Sequence, residues 1–331
     1  NAGLIKNYKY KSLVAGTSMT ENFILNDVES LLGFEEPIKL TVCGGSIQEI
    51  ARNIDMAFSH QNVEKVLYGL DYHSFTGDGY HFSEMQSSST SYLYDYYYFN
   101  DYKYLLSIDT LKMFIKSLYK NISLPSDPNL YRNTMFQWQH KFDDLFGEDK
   151  VLTMWNDYID SGKTNPKHTS QYFSKLSHSF DVNLLSIIKK HPEVEFYIFY
   201  PPFSILEYKY IQNSNWLEDV FKFKIHVSNS LKDMKNVHLF DFQIANKVTT
   251  NLNNYKDFGH YHQQINTWML KKIKDEIEIE IISFLKNDLN YFDDDLNNEL
   301  TTRITNIKNN FIKNLQKWME EKIPEKVIEE Q

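Results

Sequence analysis

Along the chain, short apolar runs alternate with stretches whose apolar positions recur every three or four residues. The first run covers residues 11–15 and ends at Gly16. Residues 20–33 follow with Phe23, Leu25, Val28, Leu31 and Leu32 on one side and Gly33 as a stop, which predicts one amphipathic helix. A second run, 38–43, ends in Gly44-Gly45-Ser46, and Ile47, Ile50, Ile54 and Phe58 then define a helix face. A third run, 63–70, closes on Asp71-Tyr72-His73. Strands alternating with helices at this spacing predict a parallel sheet with right-handed crossovers.

The alternation stops at about residue 74 and returns near 180. In between lie Ser87-Ser88-Ser89, the aromatic stretch from Tyr92 to Phe99, and helical patterns at 108–119 and 135–158. This is far longer than an ordinary connection, and it predicts a largely helical insertion at about 74–179, laid over the sheet edge. A helix at 181–190, a strand at 194–200 closed by Pro201-Pro202, a helix at 216–234 and a strand at 237–242 then resume the pattern. A last helix carries Ile265, Trp268, Met269 and Ile273. The organisation is thus an α/β domain over 1–282 and a helical extension over 283–331, where Ile304, Ile307, Phe311, Leu315 and Trp318 mark a long amphipathic helix.

Composition narrows the function classes. The formal net charge is −9, with no basic tract, which argues against a nucleic-acid partner. The single cysteine, Cys43, excludes an internal disulfide and a cysteine zinc site. The eleven histidines form no metal pair that fits one helix face, and Asp293-Asp294-Asp295 lacks the spacing of a calcium loop. No phosphate-binding or dinucleotide glycine motif is present, so neither a metal nor a cofactor is expected. No run of about 18 apolar residues spans a membrane. The chain begins Asn1-Ala2-Gly3 and not with Met, which is compatible with a signal peptide or anchor upstream. Aromatic residues make up 15% of the chain, and Trp138, Trp155 and the tyrosine stretch are candidates to line a sugar-binding groove or to pack the insertion.

Two stretches carry the candidate chemistry. Gly16-Thr17-Ser18 ends the first strand beside a helix N-terminus. There a serine hydroxyl is exposed and backbone N–H groups can face a developing oxyanion, although Ser and Thr also cap helices without further duty. Asp257-Phe258-Gly259-His260 lies between the last strand and the last helix. His260 is placed to take a serine proton and return it, and Asp257 to orient the imidazole; His262 is a nearby rival. In an open parallel sheet, Ser18, Gly44-Gly45, Asp71 and His260 all fall at the carboxyl edge of the strands, where such folds bind ligands.

This combination resembles the SGNH (GDSL-like) hydrolase superfamily, over about residues 11–73 and 180–280. The resemblance implies a three-layer, flavodoxin-like fold with a five-stranded parallel sheet. It implies Ser18 as nucleophile, His260 and Asp257 as its partners, and an oxyanion hole from Ser18, Gly44 or Gly45 and the Asp71 position. Two departures stand out: Thr17 occupies a place where Asp is usual, and Gly69-Leu70-Asp71-Tyr72 replaces the usual Gly-x-Asn-Asp. An ionised Asp cannot donate to an oxyanion, which leaves the backbone N–H groups, with His73 as a further candidate. The variant looks closest to extracytoplasmic proteins of bacterial surface-polymer acylation, such as the teichoic-acid D-alanine transfer and alginate O-acetylation types. That resemblance implies acyl transfer or ester hydrolysis on a cell-surface glycan or teichoic-acid-like polymer. It also implies a membrane-bound O-acyltransferase as partner and a location outside the membrane, tethered by an N-terminal segment. A non-catalytic, glycan-binding scaffold of the same fold is the alternative.

Overall fold

The computed structural model describes residues 1–77, 92–94, 99, 102–123, 132–161, 172–275, 313 and 317. Five strands, β1 (Ser12–Gly16), β2 (Pro37–Thr41), β3 (Lys65–Gly69), β4 (Glu195–Tyr200) and β5 (Val237–Asp241), form one all-parallel sheet in the order β2-β1-β3-β4-β5. All five runs expected from the sequence are strands, with ends displaced by a residue or two. The fold is α/β, three-layered and flavodoxin-like.

Strand order reverses between β1 and β3. The crossover from β1 to β2 runs one way and that from β2 to β3 runs back past β1, so right-handed connections put their helices on opposite faces. The helix Leu25–Leu32 packs with the helix Gln263–Lys274; the helix Ile47–His60 packs with Ala2–Asn7 and the π-helical segment Asp181–Leu185. With both faces covered, the strands are buried almost end to end, which is why they read as mainly apolar runs, with the buried Lys39 in β2 an exception.

The helix Ile47–His60 starts where its chemistry dictates. Ser46 accepts from the Glu49 N–H, and the Glu49 carboxylate accepts from the Ser46 N–H at 2.8 Å, a closed capping box. Gly33 closes the helix before β2 in the left-handed conformation at φ 64°.

Two helix expectations are corrected. The helix over 20–33 is two pieces, Ser18–Glu21 and Leu25–Leu32. The break frees Asn22, whose Oδ1 accepts from the backbone N–H groups of Trp138 and Gln139 at 3.1 and 3.3 Å and so ties the insertion to the helix Ser18–Glu21. The helix over 135–158 is real only from Glu148 to Asp160. Before it, Phe136 at φ 65° and Gly147 at φ 131° interrupt the chain, leaving short 3₁₀ turns at Gln139–Lys141 and Asp143–Leu145. A further helix, Ile205–Asn213, follows Pro201-Pro202 and precedes the helix Leu217–Leu231.

The insertion is helical where it is described, with Ile108–Ser123, Glu148–Asp160 and Tyr172–Phe180 as its main elements. Trp155 is buried against Tyr158 and Phe258, so it is core and not groove lining. Tyr94 lies under the Arg52 guanidinium at 3.7 Å. The rest of the tyrosine stretch, and all of the expected C-terminal helix but positions 313 and 317, lie outside the described residues.

Candidate active site

The loop that carries Ser18 is built by close packing at the end of β1. Gly16 sits at φ 145°, and a Cβ there would come within 2.8 Å of Thr20. Gly69, at the end of β3, likewise leaves room for the Thr20 methyl, which a Cβ would meet at 2.5 Å. Thr20 fills that space and donates its hydroxyl to the Thr17 carbonyl at 2.8 Å, so the turn carrying Ser18 is pinned between β1 and β3. Thr17, the helix N-cap, leaves Ser18 at the first helical position.

Ser18 Oγ lies 2.8 Å from His260 Nε2. On the other side of the ring, His260 Nδ1 lies 3.0 and 2.9 Å from the two carboxylate oxygens of Asp257. A proton on Nδ1 donated to Asp257 leaves Nε2 to accept from the serine hydroxyl, the tautomer that nucleophile activation needs. Asp257 Oδ1 also accepts from the backbone N–H groups of Gly259 and His260, at 3.0 and 2.7 Å, and Lys256 Nζ reaches Oδ2 at 2.6 Å. Burial pushes the Asp257 pKa up, but the hydrogen bond and charge of His260, with Lys256, more than reverse this and hold it well below the usual carboxylate range.

The Asp257–His260 loop is a closed structure. Tyr255 and Tyr261 form an antiparallel bridge, the Lys256 N–H donates to the His260 carbonyl at 3.1 Å, and the His262 N–H donates to the Asn254 carbonyl at 2.8 Å. Both tyrosines are buried and bolt the loop down: Tyr255 Oη donates to the Pro202 carbonyl at 2.6 Å, and Tyr261 Oη donates to the Met19 carbonyl at 3.1 Å. Sequence reasoning missed both, although a tyrosine on each flank of Asp257–His260 was a visible signal. His262, the rival, packs on Phe146 with ring centroids 3.8 Å apart and takes no part in the Ser18 chain of contacts.

The insertion supplies a further missed element. Trp138 donates its indole N–H to the Ser18 carbonyl at 2.9 Å, and its ring meets the His260 ring edge-on at 5.2 Å. Lys256 Nζ lies 5.1 Å from the Trp138 ring centre and 5.2 Å from that of Phe142. Thus one tryptophan touches the Ser18 backbone, the His260 imidazole and the lysine beside Asp257. Its place in the insertion was noted from sequence; its contact with the site was not foreseeable.

The expected oxyanion donors divide. Ser18, at a helix N-terminus, has a backbone N–H with no intrahelical acceptor. Gly45 is committed, its N–H donating to the Val42 carbonyl at 2.9 Å, whereas Gly44 is exposed at φ 60° beyond β2. Asp71 does not act as a donor. Its Oδ2 accepts from the Thr17 hydroxyl at 2.9 Å and its Oδ1 from the His73 N–H at 3.0 Å, so it is a strut beneath the Ser18 turn. His73 Nε2 pairs with Glu207 Oε1 at 2.9 Å.

Two buried ionisable groups lie beneath the site. Burial raises the Glu21 pKa to about 7, against the charges of His260, Lys39 and Lys141. Burial lowers the Lys39 pKa to about 7, against the charge of Glu21. Lys39 Nζ donates to the carbonyls of Glu21, Asn133 and Met135 at 2.9, 3.2 and 3.0 Å. Among the described residues no cluster of three metal-ligating side chains occurs, and no helix is long and apolar enough to cross a membrane.

No protein-family model matches the chain, and no curated protein matches it in sequence. Among solved structures, one named a "putative platelet activating factor" from Streptococcus pneumonia aligns over 83% of this chain and 87% of its own. The identity is 11% and the TM-score 0.40, too distant to carry a conclusion about the site.

Proposed function

We propose that the protein is an SGNH-like serine hydrolase or acyltransferase that works through an acyl-enzyme on Ser18. One observation carries the reading: the continuous contact from Ser18 Oγ through both ring nitrogens of His260 to Asp257, at the carboxyl edge where strand order reverses. In the first half-reaction Ser18 Oγ attacks an ester carbonyl and its proton passes to His260 Nε2. The oxyanion accepts from the backbone N–H groups of Ser18 and Gly44. Collapse breaks the bond to the leaving alcohol, which takes the proton from His260. In the second half-reaction water or a sugar hydroxyl gives its proton to His260 and attacks the acyl carbon; the bond to Ser18 breaks and the proton returns to Ser18.

The acyl acceptor in this reading is a hydroxyl of a bacterial cell-surface glycan or teichoic-acid-like polymer, outside the membrane, with a membrane-bound O-acyltransferase as donor partner. What supports it is the motif order, Ser18 first and Asp257–His260 last, together with an insertion that reaches Ser18 through Trp138.

A second reading is favoured by Asp71, whose carboxylate stands where a donor amide is expected: the same fold as a non-catalytic glycan-binding scaffold. Turnover of p-nitrophenyl acetate and labelling by a fluorophosphonate separate the two. The enzymatic reading expects both, with Ser18→Ala removing the label and lowering kcat by on the order of 10⁴–10⁶-fold. A native protein that neither turns over nor takes the label, yet retains a surface glycan on an affinity column, is the scaffold.

A further inference from the structure

The helix Ile108–Ser123 stands apart from everything above. Ser107 caps it, its Oγ accepting from the Thr110 N–H at 3.2 Å. Ile108, Leu111, Phe114, Ile115 and Leu118 recur at helical spacing and fall on one side, yet each is between 44% and 71% exposed. A soluble helix with such a stripe ordinarily buries it, and single exposed apolar residues need no explanation whereas a contiguous row does. Lys112, beside this face, and Lys116, one turn on toward the opposite, polar side, are both exposed. Asp109 is the only acidic residue in the helix.

We infer that this helix is an interfacial element that lies on an anionic lipid surface. Charge argues for that occupant. The chain as a whole carries −9 and is repelled by an anionic bilayer, but screening confines such repulsion to roughly 10 Å. Within that range the helix presents lysines, whose apolar stems can lie along the headgroup boundary while the ammonium groups reach lipid phosphates. A helix of 16 residues, about 24 Å long at 1.5 Å per residue, lies in the interface plane with its aliphatic and phenyl groups sunk into the acyl boundary. The inference is independent of the chemistry assigned to Ser18.

The test is co-sedimentation of the full chain with vesicles of phosphatidylcholine alone or of phosphatidylcholine with one-third phosphatidylglycerol. The anionic vesicles should bind roughly tenfold more tightly, and added salt should weaken that binding. The pair Phe114→Glu and Leu118→Glu should abolish it. The pair Lys112→Glu and Lys116→Glu should remove the preference for the anionic lipid, and Lys112→Arg with Lys116→Arg should retain it. All four positions are exposed, so an unchanged thermal unfolding midpoint accompanies each result. Equal binding to both kinds of vesicle, no binding by the native chain, or unchanged binding by the glutamate pairs would overturn the inference. So would a native dimer that Phe114→Glu with Leu118→Glu dissociates while vesicles are ignored, which assigns the face to a second copy.

Discussion

The hydroxyl of Thr17 donates to Oδ2 of Asp71 at 2.9 Å, a bond that joins the loop after β1 to the loop after β3 across the point where strand order reverses. The other carboxylate oxygen accepts from the His73 N–H, so both oxygens are spent on holding the backbone beside Ser18. The residue that stands where an oxyanion donor is expected is here a brace for the turn that carries Ser18.

Asp71→Ala leaves a buried hydroxyl and a backbone N–H without their acceptor and should cost about 2 kcal/mol of unfolding free energy in urea. Asp71→Asn keeps a carbonyl for His73 and offers an N–H to Thr17, and should stay within about 1 kcal/mol of the native chain. A double-mutant cycle with Thr17→Val should return a coupling of about 1 kcal/mol; a coupling of zero would deny the brace.

Lys256 shares the Asp257 carboxylate with His260. Because the folded pKa of Asp257 is depressed, its contribution to stability is present above the ordinary carboxylate value of about 3.9 and lost as pH falls below it. Lys256→Met removes one of the charges that depress it. The acid-side loss of stability should then be smaller and be complete at higher pH, read from thermal midpoints between about pH 2 and 6. Ester turnover should fall about tenfold at little change in KM, and Lys256→Arg should restore most of it.

Trp138→Phe retains a ring against His260 but removes the indole N–H that holds the Ser18 carbonyl. Steady-state kinetics should show kcat lowered about tenfold, with KM less affected. Trp138→Ala, which also strips the cover from His260 and Lys256, should cost more in kcat and raise KM.

Glu21 gives a second pH signature of opposite sign. Its folded pKa is raised to about 7, so the stability it contributes is full below about 4.3 and is lost as pH rises through 7. Glu21→Gln removes that loss. The variant should match the native chain near pH 4 and exceed it by about 2 kcal/mol above pH 8, measured by urea unfolding. Lys39 works in the other window, its folded pKa lowered to about 7, so its contribution is full above about 10.4 and lost as pH falls through 7.

Periodicity alone was sufficient for the five strands, the α/β class and the edge at which Ser18, Asp71, Asp257 and His260 gather, because strands buried on both faces and one-sided helices leave patterns that need no partner to be read. The pairing of Asp257 with His260 was legible for the same local reason: a spacing of three residues in one tight loop. What no local pattern could contain was decided by packing. The break at Asn22 exists because the insertion's backbone at Trp138 and Gln139 needs an acceptor there. Trp138 reaches Ser18, and Tyr261 reaches Met19, across more than a hundred residues of chain. The roles of Asp71 and Gly45 follow from which N–H and O–H groups the folded backbone has already used, and that accounting is settled only when distant segments meet.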